Sequence, residues 1–247
     1  MRYTTPLLAL LLAVVPAVHA QSALVVTAGV ERYDQRDALA SPLRYGGAAP
    51  SLTAAWRRDG RTASGIELTL SRLRLTPNMS GSATHFIDAW AGAFAAHWLR
   101  CGAEDGSSAL CLGARLDAFL SMRQQTYRPD VPTELYGDLI AGLEAAVAWT
   151  WRPAPQHALR QTLSVPVASA AVRTPYTGAK YIPPIALGGP GRLVGLRYEA
   201  EYTRAVGRNV ALGSRYVFRT FRYPDPRSFK VVSHRLSAVL RVGGTTP

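Results

Sequence analysis

The sequence predicts an all-β chain, an antiparallel up-and-down transmembrane β-barrel of about ten strands. Three observations lead there. Apolar and polar residues alternate with period two along most of the chain, which puts one oily and one charged face on each strand. Connections between these stretches alternate between short and long. Aromatic residues sort towards the strand ends. The clearest hairpin is 209–243: Val210, Leu212, Tyr216 and Phe218 share one parity, with Arg215 and Arg219 on the other. In the returning strand Val232, Leu236, Ala238, Leu240 and Val242 oppose Ser233, Arg235, Ser237 and Arg241, and Val239 breaks the rule.

The chain begins with a processing signal over 1–20. Arg2 supplies the positive start, 6–15 is the apolar run, and Val18-His19-Ala20 is a small-residue cleavage site. The run is too short to cross a bilayer as a helix. The mature chain, 21–247, is expected to form one barrel domain. After Ala20 no apolar stretch suffices for a spanning helix; the best, 139–151, is short and contains Glu144. Any crossing must therefore be made by strands, because only helices and closed barrels satisfy their backbone groups in lipid. Hydrophobic residues make up 48%, which suits a barrel, since only half of each strand faces lipid.

Strand one is expected over 23–33, followed by a long polar loop, 34–49. Strand two, 50–58, carries Leu52, Ala54 and Trp56 on one face, and Asp59-Gly60 is a tight hairpin signal. Strand three, 61–75, sets Ile66, Leu68 and Leu70 against Glu67, Thr69 and Ser71. Segment 84–100 fits a strand and also a helix, because Trp90, Phe94 and Trp98 share a face in either; neighbours that need a partner select the strand. Strand five, 110–127, has the cleanest alternation: Leu110, Leu112, Ala114, Leu116, Ala118, Leu120 and Met122 against Arg115, Asp117, Ser121, Arg123 and Gln125. Strand six, 138–151, places Leu139, Leu143, Val147, Trp149 and Trp151 opposite Asp138 and Glu144. Strand seven, 157–170, contains Pro166, which lacks a ladder donor and predicts a bulge or break. The longest loop is 171–191. Strand eight, 192–204, faces Val194, Leu196, Tyr198 and Tyr202 outward and Arg197, Glu199 and Glu201 inward. The closing hairpin then pairs its last strand with strand one.

Short turns at 59–60, 152–156 and 206–208 alternate with longer loops after strands one, five and seven, as in barrels with short periplasmic turns and long outside loops. Trp56, Trp98, Trp149 and Trp151 fall at the periplasmic ends, and Tyr33, Tyr127, Phe221 and Tyr223 at the outer ends. These are expected to form two interfacial girdles.

On this alternation the chain resembles the bacterial outer-membrane β-barrel class along its whole mature length. The final segment, His234-Arg235-Leu236-Ser237-Ala238-Val239-Leu240-Arg241-Val242-Gly243, looks like the closing-strand signal that such proteins show to their assembly machinery, although it lacks the usual terminal aromatic. The resemblance implies residence in the outer membrane of a Gram-negative-type bacterium. Its implied partners are outer-membrane lipid and lipopolysaccharide, the barrel-assembly machinery, and an extracellular ligand or protein at loops 34–49 and 171–191.

Inward positions carry Glu67, Arg115, Asp117, Glu144, Arg160, Arg197, Glu199, Glu201, Arg215, Arg219, Arg235 and Arg241. A lumen this narrow must pair them, since one unpaired buried charge costs several kcal/mol. A small charged pore is the functional alternative. Cys101 and Cys111 flank one polar turn and are expected to pair in an oxidising compartment.

The formal net charge is +12, yet the arginines are scattered over alternating strands, so no nucleic-acid partner is expected. No catalytic constellation, metal spacing or cofactor motif stands out. His85 and Asp88 have opposite parity. His97, His157 and His234 read as isolated interface residues. The function expected is a structural or binding one. A rim-site enzyme acting on lipid or peptide and a narrow solute channel are alternatives, and a soluble sandwich or lipocalin-like protein is a further one.

Overall fold

In the computed structural model each long strand has a long strand as neighbour on both sides, so that the described strands form a ring. The structure describes residues 22–37, 43–77, 86–102, 107–126, 134–173, 186–189, 191–223 and 228–243. The segment 1–20, expected to be a processing signal, lies outside these residues. The strands are β1 (Ser22–Asp37), β2 (Arg44–Arg58), β3 (Thr62–Pro77), β4 (Phe86–Cys101), β5 (Ser108–Thr126), β6 (Glu134–Ala154), β7 (His157–Arg173), β8 (Ala186–Gly188), β9 (Val194–Gly207), β10 (Val210–Tyr223) and β11 (Phe229–Val242). All but the three-residue β8 are barrel staves, giving a closed antiparallel barrel of 10 strands. Each stave pairs with its neighbours in sequence. The ring closes where β1 pairs with β11, Leu24 opposite Val242 through Asp37 opposite Phe229.

Segment 86–101 is a strand, as its neighbours require: β4 pairs with β3 along one side and β5 along the other. The Asp59-Gly60 turn joins β2 to β3, and Gly60 takes φ 143°, a conformation open mainly to glycine. The strand break expected at Pro166 is a bulge. Leu143 faces Ala168 while Glu144 faces Pro166, so the register slips by one residue there.

The wall changes character above that bulge. β7 pairs with β9 only from His157 to Ser164, and its outer part pairs with β8 through Ser169–Ala171. Leu193 is buried behind this seam, close enough to Gly142 that a Cβ there would lie 3.2 Å from its Cδ2.

The expected loop 34–49 is mostly strand. β1 continues to Asp37 and β2 begins at Arg44, so the connection is only 38–43. Glycine in this stretch serves close packing and not a turn: a Cβ on Gly47 would sit 2.4 Å from the Arg74 carbonyl oxygen. Likewise 171–173 belongs to β7 and 186–188 to β8, which shortens the expected loop 171–191 at both ends.

The two faces of the wall divide as the alternation requires. Leu116, Leu212 and Leu240 are 44%, 49% and 41% exposed on the outside, while Arg115 and Arg215 are 4% and 2% exposed inside. A water-soluble sheet would have the reverse arrangement.

Candidate functional site in the barrel interior

The interior is filled in two layers. At the turn end and middle lies an ionic layer built from alternate residues of the staves. Glu67, Arg115, Asp117, Glu144, Arg197, Glu199, Glu201, Arg215 and Arg235 are all buried there. Arg160, Arg219 and Arg241, partly buried, join the same system.

Most of these pairs cross the lumen. Arg215 on β10 reaches Glu67 on β3 at 2.6 Å and Glu199 on β9 at 2.5 Å. Arg115 on β5 meets Glu199 at 2.9 Å, and Arg219 on β10 meets Asp117 on β5 at 2.5 Å. Arg197 binds Glu199 at 2.5 Å and lies 3.3 Å from Glu67. Arg235 donates to Thr69 Oγ1 at 3.0 Å and lies 3.6 Å from Glu67. Glu144 accepts from Ser164 Oγ at 2.5 Å. These contacts tie opposite walls together, and each buried charge has a counter-charge or hydrogen bond to offset its lost hydration.

Several interior groups were not singled out from the sequence as site residues. Arg57 donates to both carboxylate oxygens of Glu201, at 2.9 and 2.8 Å. Its parity, opposite that of Trp56, was the available signal. Asp138 binds both Arg123 and Arg173. His97 is a correction: it faces the lumen and not the interface, and lines a cavity with Arg57, Arg115 and Arg160. His157 and His234 do face outward, hydrogen-bonded to Tyr202 and Tyr216.

At the turn end Asp59 receives Arg241 at 2.6 Å and Arg160 at 3.3 Å. Partial burial alone would raise its carboxyl, but Arg241 first, then Arg160, outweigh this and hold it at about 2. Beside this end Cys101 and Cys111, opposite each other in the β4–β5 ladder, are joined by a disulfide.

Towards the loop end an apolar layer closes the interior, and here the expected outer girdle is corrected. Tyr33, Phe221 and Tyr223 point inward and pack with Tyr45, Phe119 and Phe229. Phe221 shares parity with Arg215 and Arg219, so its level was right and its face was not. Tyr127 lies outside the described residues. Arg219 bridges the layers, its guanidinium 5.0 Å from the Phe119 ring centre and 5.1 Å from that of Phe221. The turn-end girdle is in place: Trp56, Trp98, Trp149 and Trp151 are all exposed on the outside.

Little space is left. Cavities among the described interior residues are about 20 Å³, room for roughly one water apiece. Among the described residues no cluster of His, Cys, Asp or Glu could hold a metal. Asp88 lies on the outer wall side of β4, opposite Arg74, and His85 is outside the described residues.

No sequence family matches the chain, and neither does any curated protein. Solved structures do match. The outer membrane protease OmpT of Escherichia coli superposes with a TM-score of 0.56 at 9% identity, over 90% of this chain and 96% of that one. Neisserial surface protein A matches at TM-score 0.39 and 13% identity, covering 92% and 99% of the two chains. The translocator domain of the Neisseria meningitidis autotransporter NalP matches at 0.40 and 8%, covering 94% and 92%. The chain has the fold of bacterial outer-membrane β-barrels, with a network of buried charges in its lumen.

Proposed function

We propose that the protein is an integral barrel of the outer membrane of a Gram-negative-type bacterium, with a structural or binding role exerted at its outer end. The observation that carries this is the inverted wall: along the middle of the staves large apolar side chains cover the outside, while the ionised ones at that level are enclosed. Water would favour the opposite arrangement, whereas lipid requires this one. The cross-lumen pairs serve as a plug, since an open aqueous channel needs about 16 strands and the remaining cavities admit single waters. A ligand or partner outside the cell then meets the connections between β1 and β2 and between β7 and β9.

Fractionation combined with heat-modifiable gel mobility tests the placement. The expected result is recovery with outer membranes and a mobility shift on boiling; recovery in the soluble periplasm overturns the reading. Planar-bilayer recording tests the plug. No steady conductance is expected, and a defined unitary conductance would restore the channel alternative.

A further inference from the structure

The outer wall carries a feature that the plug does not use. On β10, β11, β1 and β2, four outward side chains stand directly opposite one another in the ladder. Arg222 faces Lys230, Lys230 faces Arg36, and Arg36 faces Arg44. All are exposed. Two outward positions nearer the apolar band, His234 faces Arg32, and β3 adds Arg72 and Arg74, all exposed as well.

Like charges directly opposed across a ladder are destabilising, with Cβ atoms only about 5 Å apart. Here the same sign repeats over successive strands. Among the described residues the acids on this face are Asp34, between the two levels, and Asp88, opposite Arg74. Ser228 Oγ accepts from Arg222 Nε at 3.2 Å, which leaves the charge uncompensated. The concentration is one-sided. Outward positions in the outer parts of β5, β6, β7 and β9 include Gln124, Leu139, Val172 and Val194; among the described residues the exposed charge on this side is Arg192, just before β9.

Such a row is stable where an anion lies across it. The upper row spans about 14 Å at the usual strand spacing. That suits a sugar headgroup bearing more than one phosphate. The position, just beyond Val30, Leu70 and Leu236 of the apolar exterior, is where the headgroup of an outer-leaflet lipid would rest. We propose that the outer face of β10, β11, β1, β2 and β3 is a binding site for the phosphorylated sugar headgroup of lipopolysaccharide. Arg222, Lys230, Arg36 and Arg44 hold one tier of phosphate, and Arg32, Arg72 and Arg74 the other. The proposal rests on the outer-membrane reading above.

The test uses full-length mature protein in detergent micelles, titrated with bisphosphorylated lipid A, the same lipid dephosphorylated, phosphatidylglycerol, and heparin. Binding is read by native mass spectrometry and by the shift in unfolding temperature. Wild type should bind bisphosphorylated lipid A at least about tenfold more tightly than the other probes, and Arg36→Gln/Lys230→Gln should lose about 25-fold, at roughly fivefold per cation. The unfolding temperature carries a second signature. Without lipid A the double variant should be as stable as wild type or more so, because repulsion is relieved. With lipid A it should be less stable. Retained heat-modifiable mobility of the variant keeps this result separate from failure of the barrel itself. Equal lipid A binding by variant and wild type, equal binding of the dephosphorylated lipid, or preference for phosphatidylglycerol or heparin overturns the proposal.

Discussion

Replacing Arg215 with methionine tests whether the interior charges act as one network. The side chain is 2% exposed and sits 2.6 Å from Glu67 and 2.5 Å from Glu199, with Glu201 at 3.7 Å. Methionine fills comparable space and removes the charge together with the donors to Glu67 and Glu199. Breaking a buried pair by deleting one partner costs about 3–5 kcal/mol. The lower part of that range applies. Glu67 keeps Arg197 at 3.3 Å and Arg235 at 3.6 Å, and Glu199 keeps Arg197 at 2.5 Å and Arg115 at 2.9 Å. The expected loss is therefore about 3 kcal/mol, read as equilibrium urea unfolding in detergent by tryptophan fluorescence. Adding Glu199→Gln removes the carboxylate left behind, so the double variant should be more stable than the two single losses summed, by about 1–3 kcal/mol. If Arg215→Met matches wild type and the cycle is additive, the charges are independent and the network account is wrong.

Three further outcomes follow from particular contacts. Cys101→Ser/Cys111→Ser should lower stability by about 2–3 kcal/mol in the chain-entropy model, as should reduction of the wild type, and a urea titration run with and without reductant checks it. The Asp59 carboxyl, held at about 2, contributes stability that is complete above its unfolded value near 4 and is lost as pH falls towards 2. Thermal unfolding between pH 5 and pH 2 should show this as a small drop, under about 1 kcal/mol for a partly exposed pair, that Asp59→Asn lacks. At the seam above Pro166, residues 165–168 have no β9 partner, so the amides of Val165, Val167 and Ala168 should exchange about tenfold faster than those of 159–163, where β9 pairs. Equal protection across the two segments would sink that reading.

Much of this architecture was legible in the sequence because lipid and an enclosed lumen impose opposite demands on alternate residues. Arg115 and Leu116, or Arg215 and Leu212, betray their faces by parity alone. Pro166 announced its bulge because a missing N–H has one local consequence. Strand ends were less legible. Tyr45-Gly46-Gly47 carries loop composition, yet Gly47 lies in the ladder because Arg74 needs the space that a side chain would take. Level along a strand is also easier to read than face. Tyr33, Phe221 and Tyr223 are at the outer end as expected but close the lumen from within. His97 was missed because a lone histidine near a strand end carries no signal beyond its parity. Which arginine meets which carboxylate is set by cross-lumen distances, as for Arg57 and Glu201, and no local pattern encodes these.

The central claim is that the apolar side of every stave touches acyl chains. Spin labels placed singly at Leu68, Leu116 and Leu212 in bilayer-reconstituted protein measure this directly through relaxation by oxygen and by a water-soluble nickel complex. The account predicts high oxygen and negligible nickel accessibility at all three positions. Nickel accessibility equal to that of a label in the 155–156 turn would show these leucines facing water and contradict it.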